Sequence, residues 1–370
     1  MNRAPRLEID LDKIFHNAHA LVQRLDCHGI SVTGVTKATL GSPDIANVML
    51  RAGVKSLGDS RIENIESMRD ANVVSEMTLI RTPMITQAAQ VVKCADISFN
   101  TEIEVIRQLS VEARQAGRTH RVLLMVELGD LREGIMPDDL IQVVRETLRL
   151  PNIALDGIGT NLACRSGVSP DVNNMAKLTE LAKLVEATTG RSLNMVSGGN
   201  SANLTWALGD APTGRINNLR LGEAILLGRE TLQREPVPGL YTDAITLVAE
   251  VIESKIKPTK PWGHIAQTAF GVRQTAKDRG GVLQSIVAIG RQDIDPEGLE
   301  ATRGIRIRSA SSDHLVLEST DQKLPIGAEV TFQLNYSALL RAMTSPFVGK
   351  LYEHLGQAKS PLQGSLQAAS

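Results

Sequence analysis

Along the first two thirds of the chain, short β-branched apolar runs alternate with longer stretches whose apolar residues recur every three to four positions. The first run, Ser31-Val32-Thr33-Gly34-Val35-Thr36-Lys37, is bounded by His28-Gly29 and by Gly41-Ser42-Pro43 and reads as a buried strand. Seven more follow: Lys55–Gly58, Met77–Arg81, Asp96–Phe99, Val122–Glu127, Leu155–Asn161, Leu193–Ser197 and Asn218–Leu221. Between them, Thr101–Gly117 puts Ile103, Ile106, Leu109 and Ala113 on one helical face. Thr101 and Glu104 suit a capping box there, and Gly117 a helix stop. Asp171–Ala187 repeats the pattern with Met175, Leu178, Leu181 and Val185. Eight strand–helix units in about 200 residues predict a (β/α)₈ barrel over residues 1–235. An open Rossmann-like sheet is the alternative, but no Gly-x-Gly-x-x-Gly follows the first strand.

Beyond residue 235 the pattern changes. Pro236, Pro238, Pro258, Pro261, Pro296 and Pro325 separate short strand-like runs at 244–252, 282–289, 304–308, 315–318 and 330–334, with one helical stretch at 337–342. Residues 236–370 therefore read as a β-rich second domain, ending in a frayed tail over 357–370.

Composition narrows the function classes. A net charge of -1 over 370 residues offers no electrostatic footprint for nucleic acid or an anionic membrane. Aromatics at 3% supply no stacking platform for single strands. No apolar run reaches the roughly 18 residues of a membrane span, and the start, Met1 to Asp10, has no apolar signal core. Three cysteines, Cys27, Cys94 and Cys164, without metal-ligand spacing point to a reducing, cytoplasmic setting and no metal site.

Candidate chemistry collects at the carboxyl ends of the barrel strands, where such folds place their catalytic groups. Lys37 ends the first strand. Desolvation there opposes its charge, which favours a nucleophilic amine able to form a Schiff base; a lysine stem snorkelling to water is the other reading. Arg132 follows the fifth strand and Asn161 ends the sixth. Ser197-Gly198-Gly199-Asn200 follows the seventh, and Arg220-Leu221-Gly222-Glu223 the eighth. The last two are Gly-bearing turns opening helices, suited to cupping a phosphate. An amine, a phosphate cup and an arginine near the eighth strand together point to pyridoxal 5′-phosphate.

On Val32–Lys37, Leu57–Asn64, Leu124–Ile135, Gly157–Cys164, Asn217–Gly228 and Ile289–Asp293, the chain resembles the alanine racemase-like, fold-type III pyridoxal phosphate enzymes. Within them it is most similar to ornithine racemases and broader amino-acid racemases. The resemblance implies that Lys37 carries the cofactor and moves the α-proton on one face, and that Arg132 steadies the phenolate side. It places Asn161 near the ring and Ser197, Gly198, Asn200, Gly222, Glu223 and Tyr336 around the phosphate. Arg220 is implied to face the pyridine nitrogen, where its charge keeps that nitrogen unprotonated and favours simple racemisation. It also implies a head-to-tail homodimer in which segments 289–295 and 309–314 reach the partner's site.

One departure matters. The family's second base is a tyrosine in a Gly-Tyr-x-Asp segment, and here Gly290-Arg291-Gln292-Asp293 stands in its place. An arginine stays protonated and is a poor base, so the opposite-face group is sought among Cys164, His314 and Asp293. For the substrate, Asp293 and Asp313 are candidate partners of a side-chain ammonium. The resemblance favours ornithine or another basic amino acid; alanine or a broad range is the alternative. A non-catalytic pyridoxal phosphate carrier is the alternative from another class.

Overall fold

The computed structural model describes residues 3–271, 277–320 and 323–353; the expected tail at 357–370 lies outside them. After a first strand, β1 (Arg6–Asp10), eight parallel strands close a barrel in sequence order: β2 (Ser31–Val35), β3 (Ser56–Asp59), β4 (Met77–Leu79), β5 (Ile97–Asn100), β6 (His120–Met125), β7 (Ile153–Gly159), β8 (Met195–Ser197) and β9 (Asn218–Leu221). Closure comes from β9 pairing back onto β2, with Thr33 opposite Arg220. All eight strands expected from the apolar runs are present. They are buried on both faces, inside and against the surrounding helices, and so appear as continuous apolar runs rather than alternating ones.

The helices pack their apolar stripes on this barrel. Of the expected face in the helix Ile103–Gln115, Ile106, Leu109 and Ala113 are buried and Ile103 is half-buried. The expected capping box does not form: Glu102 is the N-cap and makes no capping bond. The Thr101 hydroxyl instead meets Thr82 at 3.1 Å, a partner from another loop that local sequence does not contain. In Val172–Thr189 a capping box does form, between Asp171 and Asn174.

The second domain is an antiparallel sheet in the order β12 (Leu299–Ala301), β15 (Glu329–Leu334), β10 (Ile245–Pro258), β11 (Gly281–Val287), β14 (Leu315–Ser319), β13 (Ile305–Ala310). Along β15, Val330, Phe332 and Leu334 point inward while Glu329 and Thr331 face water, the alternation of a half-buried strand. The expected domain division at 235/236 falls between β9 and β10. However, β1 pairs with β10 and with β16 (Gly349–Glu353), so the start of the chain is built into the second sheet. Arg6 is clamped there by Glu8 and Glu329. Among the described residues no helix is long and apolar enough to cross a membrane.

One buried histidine sets an acid limit on stability. His120, at the first position of β6, is fully buried, with Nε2 2.8 Å from the Ser98 hydroxyl and Nδ1 without a partner. Burial pushes its pKa down to about 4, the charges of Arg118 and Arg121 add to this, and Asp96 opposes it. The unfolded chain takes up the proton near pH 6.5 while the folded chain resists until about pH 4. Stability is therefore intact above pH 6.5 and falls across that window by about 3 kcal/mol. Urea unfolding of His120→Gln at pH 7.5 and pH 4.5 should show a loss smaller than the parent's by that order. An identical loss in both proteins would mean that His120 does not set the limit.

Candidate active site

At the carboxyl rim of the barrel, β2 ends at Val35, two residues before the expected end of the strand, and Lys37 opens a single 3-10 turn, Lys37–Thr39. Its approach is fixed by Asp59 at the end of β3, which is fully buried. Thr36 donates its hydroxyl to Asp59 Oδ2 at 2.7 Å, and Asp59 Oδ1 accepts from the Arg61 backbone N–H at 2.9 Å and from Asn64 Nδ2 at 3.0 Å. Burial raises the Asp59 carboxyl, and these donors, with the Lys37 charge, pull against that rise. Gly41 leaves the turn in left-handed backbone, with no room for a side chain: a Cβ there would lie 2.8 Å from the Asn64 carbonyl oxygen. Lys37 Nζ ends 5.6 Å from the centroid of the Tyr336 ring. Tyr336 comes from the second domain, at the start of the helix Tyr336–Thr344, where Asn335 caps by accepting the Ala338 N–H at 2.9 Å. Burial raises the Tyr336 phenol, with the Lys37 charge and hydrogen bond opposing.

Lys37 and Tyr336 share a cavity of about 460 Å³ whose lining also includes Arg81, Arg132, Asn161, Cys164, Asn200, Ser201, Arg220, Gly222, Glu223, Thr231 and Arg234. Arg220, on β9, is 4% exposed. It donates to Ser197 Oγ at 2.7 Å, to the Thr160 carbonyl at 2.8 Å and to Asn161 Oδ1 at 3.2 Å. Burial pushes its pKa down to about 9, Arg132 adds to this and Glu133 opposes it; at neutral pH it is still a cation. Asn161 Oδ1 also accepts from Asn200 Nδ2 at 3.1 Å. Glu223 is the sole carboxylate among the lining residues, 9% exposed and paired with Arg234. Burial raises its carboxyl while Arg234 opposes.

Two further carboxylates, not in the lining, shape the loops that carry Arg132 and Cys164. Glu127 accepts the N–H groups of Gly129 at 2.6 Å and Arg132 at 3.2 Å. Asp130, fully buried, accepts those of Cys164 at 3.3 Å, Arg165 at 2.9 Å and Ser166 at 3.0 Å. Asp130 thus ties the loop after β6 to the loop after β7 and holds Cys164 at the cavity wall.

Of the residues expected at the site, Lys37, Arg132, Asn161, Cys164, Asn200, Arg220, Gly222, Glu223 and Tyr336 meet in this cavity. Ser197 and Gly198 are not in its lining: the Ser197 hydroxyl is buried below Arg220 and donates to Asn218 Oδ1 at 2.6 Å. Ser201, four residues on, lines the cavity instead. Asp293, Asp313 and His314 are not in the chain's own cavity either. Asp293 accepts the Ser345 hydroxyl at 2.6 Å inside the second domain, Asp313 is exposed and His314 is half-buried. The segments carrying them are zipped together, Arg291 N–H to the Ser311 carbonyl and Gln292 N–H to the Ser312 carbonyl. Arg291 is held by Glu297 and lies over Phe270. Arg81, Ser201, Thr231 and Arg234 were missed from sequence. Arg81 alone carried a usable signal: it sits at the carboxyl end of an expected strand, as Lys37 does.

The profile of the family described as "Alanine racemase, N-terminal domain" matches residues 9–230. A lysine racemase of Thermotoga maritima is 38% identical over 94% of this chain and 98% of its own. An ornithine racemase of Acetoanaerobium sticklandii is 36% identical over 94% of this chain and 99% of its own. Among solved structures, alanine racemase from Bartonella henselae with covalently bound pyridoxal phosphate superposes with a TM-score of 0.71 at 17% identity, covering 95% of this chain and 100% of that one; this likeness is one of fold.

Proposed function

The chain belongs to the alanine racemase family and is an amino-acid racemase, and we propose that it inverts basic amino acids, ornithine and lysine, with pyridoxal 5′-phosphate held in the Lys37 cavity. The observation that carries this reading is the lining: one amine, four guanidiniums and one carboxylate around about 460 Å³. That donor set fits the cofactor, which brings a phosphate, a phenolate and an aldehyde. Buried polar atoms without partners at the rim, Arg81 Nε and Thr231 Oγ1, fit a polar ligand too. The cofactor, when bound, makes the α-proton of an attached amino acid acidic. Lys37 Nζ would hold the cofactor and would move that proton on one face. Tyr336 orients Nζ and walls it from water; the turns at Ser201 and at Gly222–Glu223 would hold the phosphate, Arg132 would steady the phenolate side, and Asn161, Asn200 and Arg220 would support the ring. For the opposite face we assign Cys164, the one group of the three candidates that lines this cavity.

The substrate class follows from Glu223 and from the relatives. An ammonium drawn partly out of water needs a carboxylate, and among the described residues Glu223 is the one in the lining, where it already pairs with Arg234 and would have to be shared. The expectation of ornithine in particular widens to lysine, because the two named relatives cover the same 94% of the chain at 38% and 36% identity. Asp293 and Asp313 enter only from a partner subunit, in a head-to-tail dimer whose 289–295 and 309–314 segments close the neighbouring cavity. The carrier alternative is set aside, since racemases match both domains.

The test is an α-proton exchange screen in deuterated water over the common L-amino acids plus ornithine. Ornithine and lysine should outrank alanine by at least tenfold in kcat/KM. Alanine in first place would remove the basic-substrate reading. The same assay at falling protein concentration should lose specific activity as the dimer parts. Full activity in a protein that sizes as a monomer at low nanomolar concentration would remove the shared site.

A further inference from the structure

Arg81 stands out among the guanidiniums of the cavity. Arg220 is bonded to Ser197, Thr160 and Asn161, Arg234 is paired with Glu223, and Arg132 lies 3.3 Å from Glu133. Arg81 makes no hydrogen bond or ion pair among the described residues, and its Nε is shut off from solvent without an acceptor. Arg81 is half-buried as a whole, so its terminal nitrogens stay open to the cavity while Nε lacks an acceptor; a guanidinium in a cavity wall with no carboxylate of its own is free to take an anionic ligand. The position is not incidental. Arg81 lies just past β4 on the same rim as Lys37, and in the ring of eight strands β4 stands across the mouth from β8, whose following loop carries Asn200 and Ser201.

We propose that Arg81 binds the α-carboxylate of the amino-acid substrate. This rests on the racemase assignment and adds a substrate-binding residue to it. The planar fork of a guanidinium matches a carboxylate with two parallel N–H donors. The phosphate is expected across the mouth, at the β8 and β9 loops. The substrate's carboxylate is then the anion left for the β4 side. An unpaired cation there also repels a side-chain ammonium, so a diamino acid enters with its carboxylate at Arg81 and its distal ammonium elsewhere. Like-charge exclusion and carboxylate capture act on the same molecule in the same sense.

The experiment compares ornithine with its α-carboxamide, which keeps the amines and lacks the carboxylate charge, in the holoenzyme and in Arg81→Gln. Arg81→Gln should lower the rate of α-proton exchange at limiting ornithine by about 10- to 100-fold, and that of the amide by less than about threefold. Propionate, a bare carboxylate, should inhibit the parent and lose that inhibition in the variant. Cofactor affinity, read from the visible absorbance of the bound form during dilution, should not change. Equal losses on acid and amide overturn the proposal. So does weakened cofactor binding with an unchanged acid-to-amide ratio, which would assign Arg81 to the cofactor's own phenolate. Should Arg81→Gln fail to fold, Arg81→Lys keeps the charge without the fork; the proposal then requires its acid-to-amide ratio to fall, and an unchanged ratio overturns it.

Discussion

Lys37→Ala should remove racemase turnover completely, and with it the covalent cofactor adduct that borohydride is expected to trap in the parent. The size of the effect follows from where the amine is. Lys37 is the one amine lining the cavity. Asp59, Thr36 and the left-handed Gly41 hold its turn in place, and the Tyr336 ring covers it at 5.6 Å. Among the described residues no other primary amine reaches this wall, so neither attachment nor proton transfer on this face has a substitute there. Mass spectrometry of the reduced, digested parent should place the adduct on the peptide containing Lys37. A trappable adduct in the Lys37→Ala protein would show that another lysine holds the cofactor and would sink the assignment.

Cys164→Ala should separate the two faces. Racemisation is expected to fall by about 10²–10⁴, the usual range for removal of a general acid or base. One enantiomer should still exchange its α-proton for deuterium with retained configuration, through Lys37 alone. That asymmetry tells loss of an opposite-face acid from general damage, which would slow exchange from both enantiomers alike. Cys164 is accessible at the cavity wall, with its backbone N–H pinned 3.3 Å from the buried Asp130 carboxylate. A Cys164→Ala enzyme that racemises at the parent rate would return the role to His314 or Asp293, neither of which lines this chain's own cavity.

Much of the architecture was legible in the chain alone. Eight apolar runs became eight barrel strands because a strand buried on both faces must be apolar throughout, and no other use of those segments hides that surface. Lys37, Arg132 and Arg220 were legible because charged residues beside buried strands are few and the carboxyl rim is where such barrels work. The helix caps were less so. Thr101 and Glu104 have capping-box spacing, yet Thr82 takes the Thr101 hydroxyl; a cap is worth about 1 kcal/mol, small enough for a tertiary partner to override. The strand β1 was missed because five residues, Arg6–Asp10, acquire meaning only from β10 and β16, more than two hundred positions away.

By itself, then, the sequence determined the barrel, the sheet domain after it and the lysine that lines the cavity at the barrel's carboxyl rim, since each is a local pattern of burial or of charge beside burial. What only the tertiary structure decided is which polar groups face the cavity. Ser197 and Ser201 are alike in sequence, but Arg220 and Asn218 engage the Ser197 hydroxyl while Ser201 lines the cavity. Asp293 and Glu223 are both acidic, but Ser345 holds the first inside the second domain and the fold turns the second to the cavity. Arg81 reads as an ordinary strand end until its neighbours are known. The reason is physical: a side chain's availability depends on the partners that reach it through space, and hydrogen bonds and ion pairs between residues tens to hundreds of positions apart leave no periodic trace along the chain.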